Sequence, residues 1–195
     1  TTYTSGALTQ TTKFRAVVQS GVCSEANSTD TTVTVDPASV GGSVTGGTTI
    51  CEGSTSGTLT LSGHTGSVVR WESSVNPFSS WTTIANTSTT YTSGALTQTT
   101  KVRAVVQSGV CSEAASSDTT VSIDSTTWDG SSWSAGSPTA TSAVIFTGNY
   151  TISSDLSVCT ITVTNSAVVS VDSGIDVTLN GALTVSSGSF TLNNT

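Results

Sequence analysis

The chain has 195 residues, of which 9% are charged and 34% hydrophobic, and its net charge is −7. Soluble domains usually contain about 25% charged residues, so hydroxyl groups and the backbone must hydrate most of this surface. Because 5 basic residues face 12 acidic ones, no basic patch can neutralise phosphates, which argues against nucleic acid as a partner. No run of 18 apolar residues occurs, so direct membrane insertion is not expected.

The residue types predict strands and turns throughout the chain. Thr and Val are β-branched and favour strands, Gly, Ser and Asn favour turns, and Met is absent. Apolar residues do not recur at the 3.6-residue spacing of a helix. The sequence therefore predicts an all-β fold.

A long internal repeat defines the organisation of the chain. Residues 1–36 recur at residues 89–124 with 31 of 36 positions unchanged, which gives a period of 88 residues. This period suits one β-sandwich domain and is too long for a solenoid rung. We therefore expect residues 37–124 to form a complete module and residues 1–36 to be the C-terminal part of a truncated one. Repetition of this kind favours a spacer or a multivalent binder over a catalytic domain.

Residues 37–124 contain about seven short alternating runs separated by turns, which predict an Ig-like antiparallel β-sandwich. Trp71 lies in the middle of one run and is expected at the centre of the core. Its expected neighbours are Trp81, Tyr91, Leu96, Val102, Ala104 and Val106. In the run 101–107, alternation places four side chains outward, with the basic ones paired to Glu72 or Glu113. These four are Lys101, Arg103, Val105 and Gln107.

The four cysteines predict one disulfide. Cys23 and Cys111 are the same position in two copies of the repeat, and Cys51 is the only other cysteine of the complete module. We therefore expect a Cys51–Cys111 bridge, which closes a loop of 60 residues and contributes roughly 4 kcal/mol in the chain-entropy model. Cys23 then lacks its partner through truncation, and Cys159 is expected as a buried free thiol.

Residues 125–195 differ in composition and predict a β-helix-like solenoid, incomplete at its end. Strands of four or five residues follow one another at a pitch of seven to nine residues. Three such strands form one rung, and each rung buries its inward side chains on the next. The expected inward pairs are Ile161 and Val163, Val169 and Val171, Val177 and Leu179, Leu183 and Val185, and Phe190 and Leu192. A β-meander sandwich is the alternative, but the short, regular turns favour the solenoid.

No catalytic site, cofactor or metal site is predicted. The single histidine, His64, is expected as an exposed turn residue, because no nucleophile elbow accompanies it. Asp172 and Asp176 lie at turns on either side of a strand, where turn chemistry explains them. Asp129 is expected to cap a turn, and no CxxC pair or flanking histidine supports metal binding by the cysteines.

Aromatic side chains are the remaining chemical signal, because sugar rings stack on flat side chains. The candidate sugar-stacking residues are Trp128, Trp133 and Tyr150. A solvent-facing row of these rings favours carbohydrate binding, and burial of all three argues against it.

The motifs of the chain resemble the Ig-like repeats of cell-surface adhesins of the Bacteroidota, in particular of flavobacteria. The shared features are "ICEG", "VVRWESS", "WTTI", "YTSGAL", "TTKVRAVV" and "GVCSE". Residues 126–195, with "TWDGSSWSAGSPT" followed by "CTITVTNSAVVSVDSG", resemble the Trp-rich opening segment and β-helical rungs of the same proteins. Together the two resemblances cover nearly the whole chain.

The resemblance implies an extracellular, cell-surface protein that is exported by the type IX secretion system and, in some members, acts in gliding motility. It also implies O-glycosylation at Asp followed by Ser or Thr and then a small apolar residue or Thr. The matching candidates are Thr31, Thr119 and Ser125.

Two functions follow from these expectations. The first is a non-enzymatic structural or adhesive segment, the stalk of a long surface adhesin, with surface glycans or other cell-surface and secretion-system proteins as partners. The second is a carbohydrate-binding accessory region of a secreted polysaccharide-degrading enzyme.

Overall fold

The computed structural model describes residues 1–193, and every regular element in this range is a β-strand. The predicted all-β fold is confirmed. Within the described residues, no helix has the length and apolar character needed to cross a membrane.

The strands fall into successive groups along the chain. Residues 1–36 contain β1 (Thr12–Phe14), β2 (Val17–Val18), β3 (Ala26–Asn27) and β4 (Thr31–Val33). The next strands are β5 (Ser43–Thr45), β6 (Thr49–Ile50), β7 (Leu59–Ser62), β8 (Ser67–Val75), β9 (Thr82–Ile84), β10 (Thr90–Tyr91), β11 (Thr100–Gln107), β12 (Ala114–Ala115) and β13 (Thr119–Trp128). The remaining strands are β14 (Ser142–Phe146), β15 (Tyr150–Ile152), β16 (Leu156–Val158), β17 (Thr160–Val163), β18 (Ala167–Val171), β19 (Val177–Leu179), β20 (Leu183–Val185) and β21 (Gly188–Leu192).

Two antiparallel sheets of the repeat module share one hydrophobic core. The first has the strand order β10-β7-β5, and the second contains β9, β8, β11 and β13 in that order. The buried core side chains are Val44, Leu59, Leu61, Val68, Trp71, Val102, Ala104, Val106 and Val121. Both sheets contribute to this set, so alternation places one face of each sheet in the common core.

The two tryptophans of the module have different environments. Trp71 is fully buried, and its Nε1 donates a hydrogen bond of 2.9 Å to a backbone carbonyl oxygen, so its predicted position in the core is confirmed. Trp81 is not part of this core, contrary to the prediction. It is half-buried beneath the guanidinium of Arg103, whose Cζ lies 4.0 Å from the ring centroid. Val105, predicted to face outward, is only 3% exposed, although the alternation of β11 holds, since Val102, Ala104 and Val106 lie in the module core and Val105 does not.

Residues 142–192 form about three turns of a parallel β-solenoid. The first turn consists of β14, β15 and β16, the second of β17, β18 and β19, and the third of β20 and β21. Strands of successive turns pair in parallel. Ala143 pairs with Thr160 and Ile161 with Leu183, so one turn takes 17 to 22 residues. The predicted solenoid is confirmed.

The predicted inward side chains are buried in the second turn and progressively exposed in the third. The buried ones are Ile161, Val163, Val169 and Val171. Those partly buried against them are Val177, Leu179 and Phe190. Leu183 and Val185 are 43% and 45% exposed, and Leu192 is 68% exposed. Among the described residues the third turn has a neighbouring turn on one side only, so its side chains lack a second packing surface.

A buried carboxylate organises the charges on the outer face of the module. Glu72 on β8 contacts Nε of Arg70 at 2.8 Å and Nη2 of Arg103 at 2.7 Å. Burial by itself raises the pKa of Glu72, but hydrogen bonds from the two arginines outweigh burial and hold the pKa below its usual value. The predicted pairing of Arg103 with Glu72 is confirmed, while Lys101 pairs with Asp118 at 2.9 Å.

We expect Glu72→Gln to destabilise the protein at pH 7 by about 1–3 kcal/mol, because the arginines lose their charged acceptor. The folded-state pKa of Glu72 is depressed. Its contribution is therefore present above the unfolded-state value of about 4.3 and is lost as the pH falls through the lower folded-state value. Urea unfolding of the parent protein and of Glu72→Gln from pH 7 to pH 2 measures the difference between their free energies of unfolding, and we expect this difference to become smaller at acidic pH.

Glu113→Gln is the matched control for this substitution. Glu113 contacts Nη1 of Arg70 at 2.7 Å, but its side chain is 41% exposed, so we expect a loss of less than about 1 kcal/mol. Equal losses for Glu72→Gln and Glu113→Gln at pH 7 would contradict the central role given to Glu72.

Candidate functional site

Strand β13 belongs to both halves of the molecule. Its first residues pair antiparallel with β11, where Val121 lies opposite Thr100. Its last five residues, from Asp124 onward, pair in parallel with β14. Val121 is buried in the module core, while Trp128 packs against the solenoid core. The boundary predicted between Asp124 and Ser125 falls inside this continuous strand.

The local sequence explains the length of β13. Its ten residues, TTVSIDSTTW, are rich in β-branched and aromatic types and contain neither Gly nor Pro, so nothing interrupts the extended backbone. Val121 and Thr126 are 0% and 3% exposed and, because they are five residues apart, they lie on opposite faces of the strand. One strand therefore supplies inward side chains to both parts of the fold.

The disulfide joins Cys51 to Cys159, with the Cα atoms 5.5 Å apart. The predicted Cys51–Cys111 bridge is wrong, and so is the prediction that Cys159 is a free thiol. The reason is the position of β6, which ends immediately before Cys51 and pairs with the middle of β13. Cys111 lies at the other end of the module, in the turn after β11, where its Sγ is 3.5 Å from the carbonyl oxygen of Pro37.

The edge of β13 opposite β11 brings Cys51 and Cys159 together. β6 pairs with the two residues before Asp124, and β14 pairs from Asp124 onward, so β6 and β14 meet end to end. Cys159 lies one strand further out, where its backbone N donates to the carbonyl oxygen of Ser142 at 2.9 Å. The Ser142 hydroxyl donates to the Asp124 carboxylate. We call β13, the disulfide and Ser142 the joint.

Four aromatic side chains pack together beside the joint, and we call Trp128, Trp133, Phe146 and Tyr150 the aromatic cap. Their contacting ring centroids lie 4.9 to 5.7 Å apart, mostly in tilted or edge-on geometry, which the ring quadrupoles favour. Trp128 and Trp133 also form an isolated backbone bridge. The predicted sugar-stacking residues are half-buried. They form an interlocked cluster rather than a solvent-facing row.

A groove of about 220 Å³ lies beside the aromatic cap. Trp133, Pro138 and Tyr150 supply apolar surface, and Asp155 supplies a carboxylate. Oδ1 of Asp155 accepts a hydrogen bond of 3.0 Å from a backbone N–H of the next solenoid turn. Two of the predicted sugar-stacking residues therefore share one concave surface, whereas Trp128 does not line it.

Comparison with known families places both copies of the repeat. Residues 1–37 and 40–125 match the model of a domain of unknown function, DUF8696. The chain belongs to the DUF8696 family. The DUF8696 matches end at Ser125, so the solenoid lies outside them. No curated protein and no solved structure matches the chain.

The predicted O-glycosylation residues differ in exposure. Thr31, in the first DUF8696 copy, and Ser125, in β13, are exposed. Thr119 is half-buried, and its hydroxyl lies against Gly47, where a Cβ atom would collide with it. A glycan has access to the first two hydroxyl groups, while Gly47 hinders the third.

The polar residues considered for catalysis or metal binding do not form a shared site within the described residues. Oδ1 of Asp129 accepts hydrogen bonds from the backbone N–H groups of Ser132 and Ser131 at 2.8 and 2.7 Å, and these bonds lower the Asp129 pKa to about 2. The predicted turn cap is confirmed. His64 is half-buried rather than exposed. Within residues 1–193, no three His, Cys, Asp or Glu side chains are grouped so as to hold a metal ion.

We expect Cys159→Ser to lower the free energy of unfolding by up to about 5 kcal/mol, because the disulfide closes a loop of 108 residues in the unfolded chain. Thermal and urea unfolding under oxidising conditions measure the loss. Cys111→Ser is the matched control, since Cys111 is a free thiol, and we expect a change of less than about 1 kcal/mol. The reduced parent protein should match Cys159→Ser. A comparable loss in Cys111→Ser would overturn the role assigned to the Cys51–Cys159 bridge.

Proposed function

We propose that the chain is a structural, adhesive segment of a long secreted cell-surface repeat protein, the stalk of an adhesin. The observation that carries this proposal is the joint. One strand is shared by the DUF8696 module and the solenoid, and one disulfide spans the same boundary. A stalk needs successive parts held in a fixed relation, and both features restrict their relative movement.

The disulfide also determines how tension passes through the chain. A load applied at the two ends runs through the first residues to Cys51, crosses the sulfur–sulfur bond, and continues from Cys159. Residues between the two cysteines lie off this path. The shielded part includes the whole of β13 and every buried residue of the module core except Val44 on β5, so the joint and most of the core stay folded while the outer segments are stretched.

The finer assignments belong to the same proposal. The two-sheet DUF8696 module is an Ig-like sandwich. The chain is extracellular, since disulfides persist in oxidising compartments. Export by the type IX system, a role in gliding, and surface glycans or secretion-system proteins as partners rest on the resemblance to Bacteroidota adhesins. The segment acts without a cofactor and without catalysis.

Force spectroscopy tests the load path. The chain is stretched by handles at its two ends. We expect the fully stretched oxidised chain to be shorter than the fully stretched Cys159→Ser variant by roughly 350–390 Å, the extended length of the 108-residue loop. Adding a reductant to the parent protein should recover this length. Cys111→Ser, which keeps the bridge, should behave like the parent protein.

Equal extension of the oxidised parent and Cys159→Ser would contradict the load-bearing proposal, because residues 51–159 would then carry tension. Turnover of a polysaccharide by the isolated chain would contradict the non-enzymatic assignment independently of the mechanical result.

A second candidate function is carbohydrate binding in the groove beside the aromatic cap. The supporting observation is the combination of two half-buried aromatic rings, Trp133 and Tyr150, with the carboxylate of Asp155 on one concave surface of about 220 Å³. Sugars present apolar ring faces to aromatic side chains and hydroxyl donors to carboxylates. The groove has the size for a terminal sugar unit rather than for a long polysaccharide.

A glycan array with the intact chain tests this candidate. If the groove binds sugar, Asp155→Ala should weaken each positive signal at least tenfold, because a hydroxyl acceptor is lost. Asp172→Ala is the matched control, since Asp172 is an exposed turn carboxylate that does not line the groove. An empty array, or equal signals for the two variants, excludes the groove as a sugar site.

A further inference from the structure

The two repeat copies place a cysteine beside the same aspartate. Asp36 and Asp124 are equivalent, one period of 88 residues apart. At Asp124 the neighbouring bridge is formed by Cys159, which belongs to the part of the chain that follows. At Asp36 the following part contributes Cys111, whose Sγ lies 3.9 Å from the Asp36 carbonyl oxygen. Each boundary therefore receives a cysteine from its C-terminal side.

The partner cysteine at the second boundary comes from the N-terminal side. Cys51 reaches Asp124 because β6 pairs with the two residues before that aspartate. The equivalents of those residues in the first copy are Thr34 and Val35. A strand equivalent to β6, placed beside them, would carry its cysteine to Asp36 and so to Cys111.

The first copy has an open face where such a segment fits. Val18 and Val33 are 61% and 42% exposed, whereas their equivalents Val106 and Val121 are fully buried. Tyr3, 77% exposed, lines a cleft of about 610 Å³ together with aromatic and aliphatic neighbours. In the complete module this face is covered by β5 to β9, which all lie in residues 37–88. The open cleft has the chemistry of an unfilled module core.

The charged residues also indicate that a copy of segment 37–88 belongs beside residues 1–36. Arg103 pairs with the buried carboxylate of Glu72, which lies in segment 37–88. Its equivalent, Arg15, is exposed and makes no ion pair within the described residues. A copy of segment 37–88 would bring a glutamate to Arg15.

The segment already present in the chain cannot fill this cleft. Its buried side chains on β5, β7 and β8 already pack in one core with Val102, Val106 and Val121 of the second copy. The occupant is therefore a separate copy.

We propose that a further copy of segment 37–88, joined to Thr1, completes residues 1–36 into a module, and that the cysteine of this copy forms a disulfide with Cys111. In an array of modules every boundary then carries one bridge, and Cys159 takes the place of the next module's cysteine at the boundary with the solenoid. Formation of the bond removes two protons and two electrons from two thiols. A small disulfide such as oxidised glutathione accepts them and becomes two thiols.

The test is an extended chain in which segment 37–88 precedes the full 195 residues. After oxidation in a glutathione buffer, free thiols are alkylated and the digested protein is mapped by mass spectrometry. We expect a peptide that links the added cysteine to Cys111, an intact Cys51–Cys159 bridge, and at least a hundredfold slower alkylation of Cys111 than in the parent chain. Cys23 is the internal control and should stay alkylated, because its own N-terminal partner is still missing.

Two results overturn the proposal. One is a Cys111 that alkylates as fast in the extended chain as in the parent, and the other is a bond from the added cysteine to Cys23. Amide hydrogen exchange of residues 1–36 is the second measurement. If the added segment leaves their protection unchanged, the cleft does not accept it and the proposal fails.

This inference goes beyond the stalk function, and it can be wrong while the stalk function is right. If Cys111 stays free while the Cys51–Cys159 bridge is intact, the proposed bridge between modules is wrong, but the proposed load path is not affected. If the oxidised parent and Cys159→Ser extend equally in the force experiment, the stalk function is contradicted, but the disulfide bonds found by mass spectrometry still test the bridge between modules.

Discussion

The structure depends on the two hydrogen-bonding edges of β13. One edge pairs with β11 and completes the module, and the other pairs first with β6 and then with β14. A strand has no further edge to offer, so the two parts are fitted to one another along a single backbone. The solenoid therefore begins on a ladder that the module has already ordered.

The aromatic cap follows from the same constraint. A solenoid buries each turn on the next, and its first turn needs a cover. Here the cover is built from β13 itself and the hairpin that follows it, with Trp128 and Trp133 packed against Phe146 and Tyr150. The Nε1 of Trp128 donates to a backbone carbonyl oxygen at 2.9 Å, so burial leaves this donor satisfied. This structural task accounts for the rings without a ligand.

Local patterns predicted local structure, and the errors lie where two distant parts meet. Trp71 and the inward valines of the second solenoid turn follow directly from strand alternation, which needs only the neighbouring residues. The disulfide does not follow from alternation. Cys51 and Cys159 meet because both lie beside β13, whose first part belongs to the repeat and whose last part lies in the segment that follows it. The groove at Asp155 likewise combines residues from separate solenoid strands and loops, which no linear spacing indicates.

The two copies of the repeat end on the same aspartate, but the residues after it differ. Asp124 is followed by Ser, Thr, Thr and Trp, and β13 continues to Trp128, whereas Asp36 is followed by Pro37 and no strand crosses that point. Proline has no N–H for a ladder, so it interrupts the pairing that the second copy extends. A continuous strand aligns two parts through its backbone. At an interrupted one the alignment comes from side chains, as where the Ser39 hydroxyl accepts a hydrogen bond of 2.9 Å from the backbone N–H of Ser108. A covalent bridge therefore restricts movement most where the strand is broken.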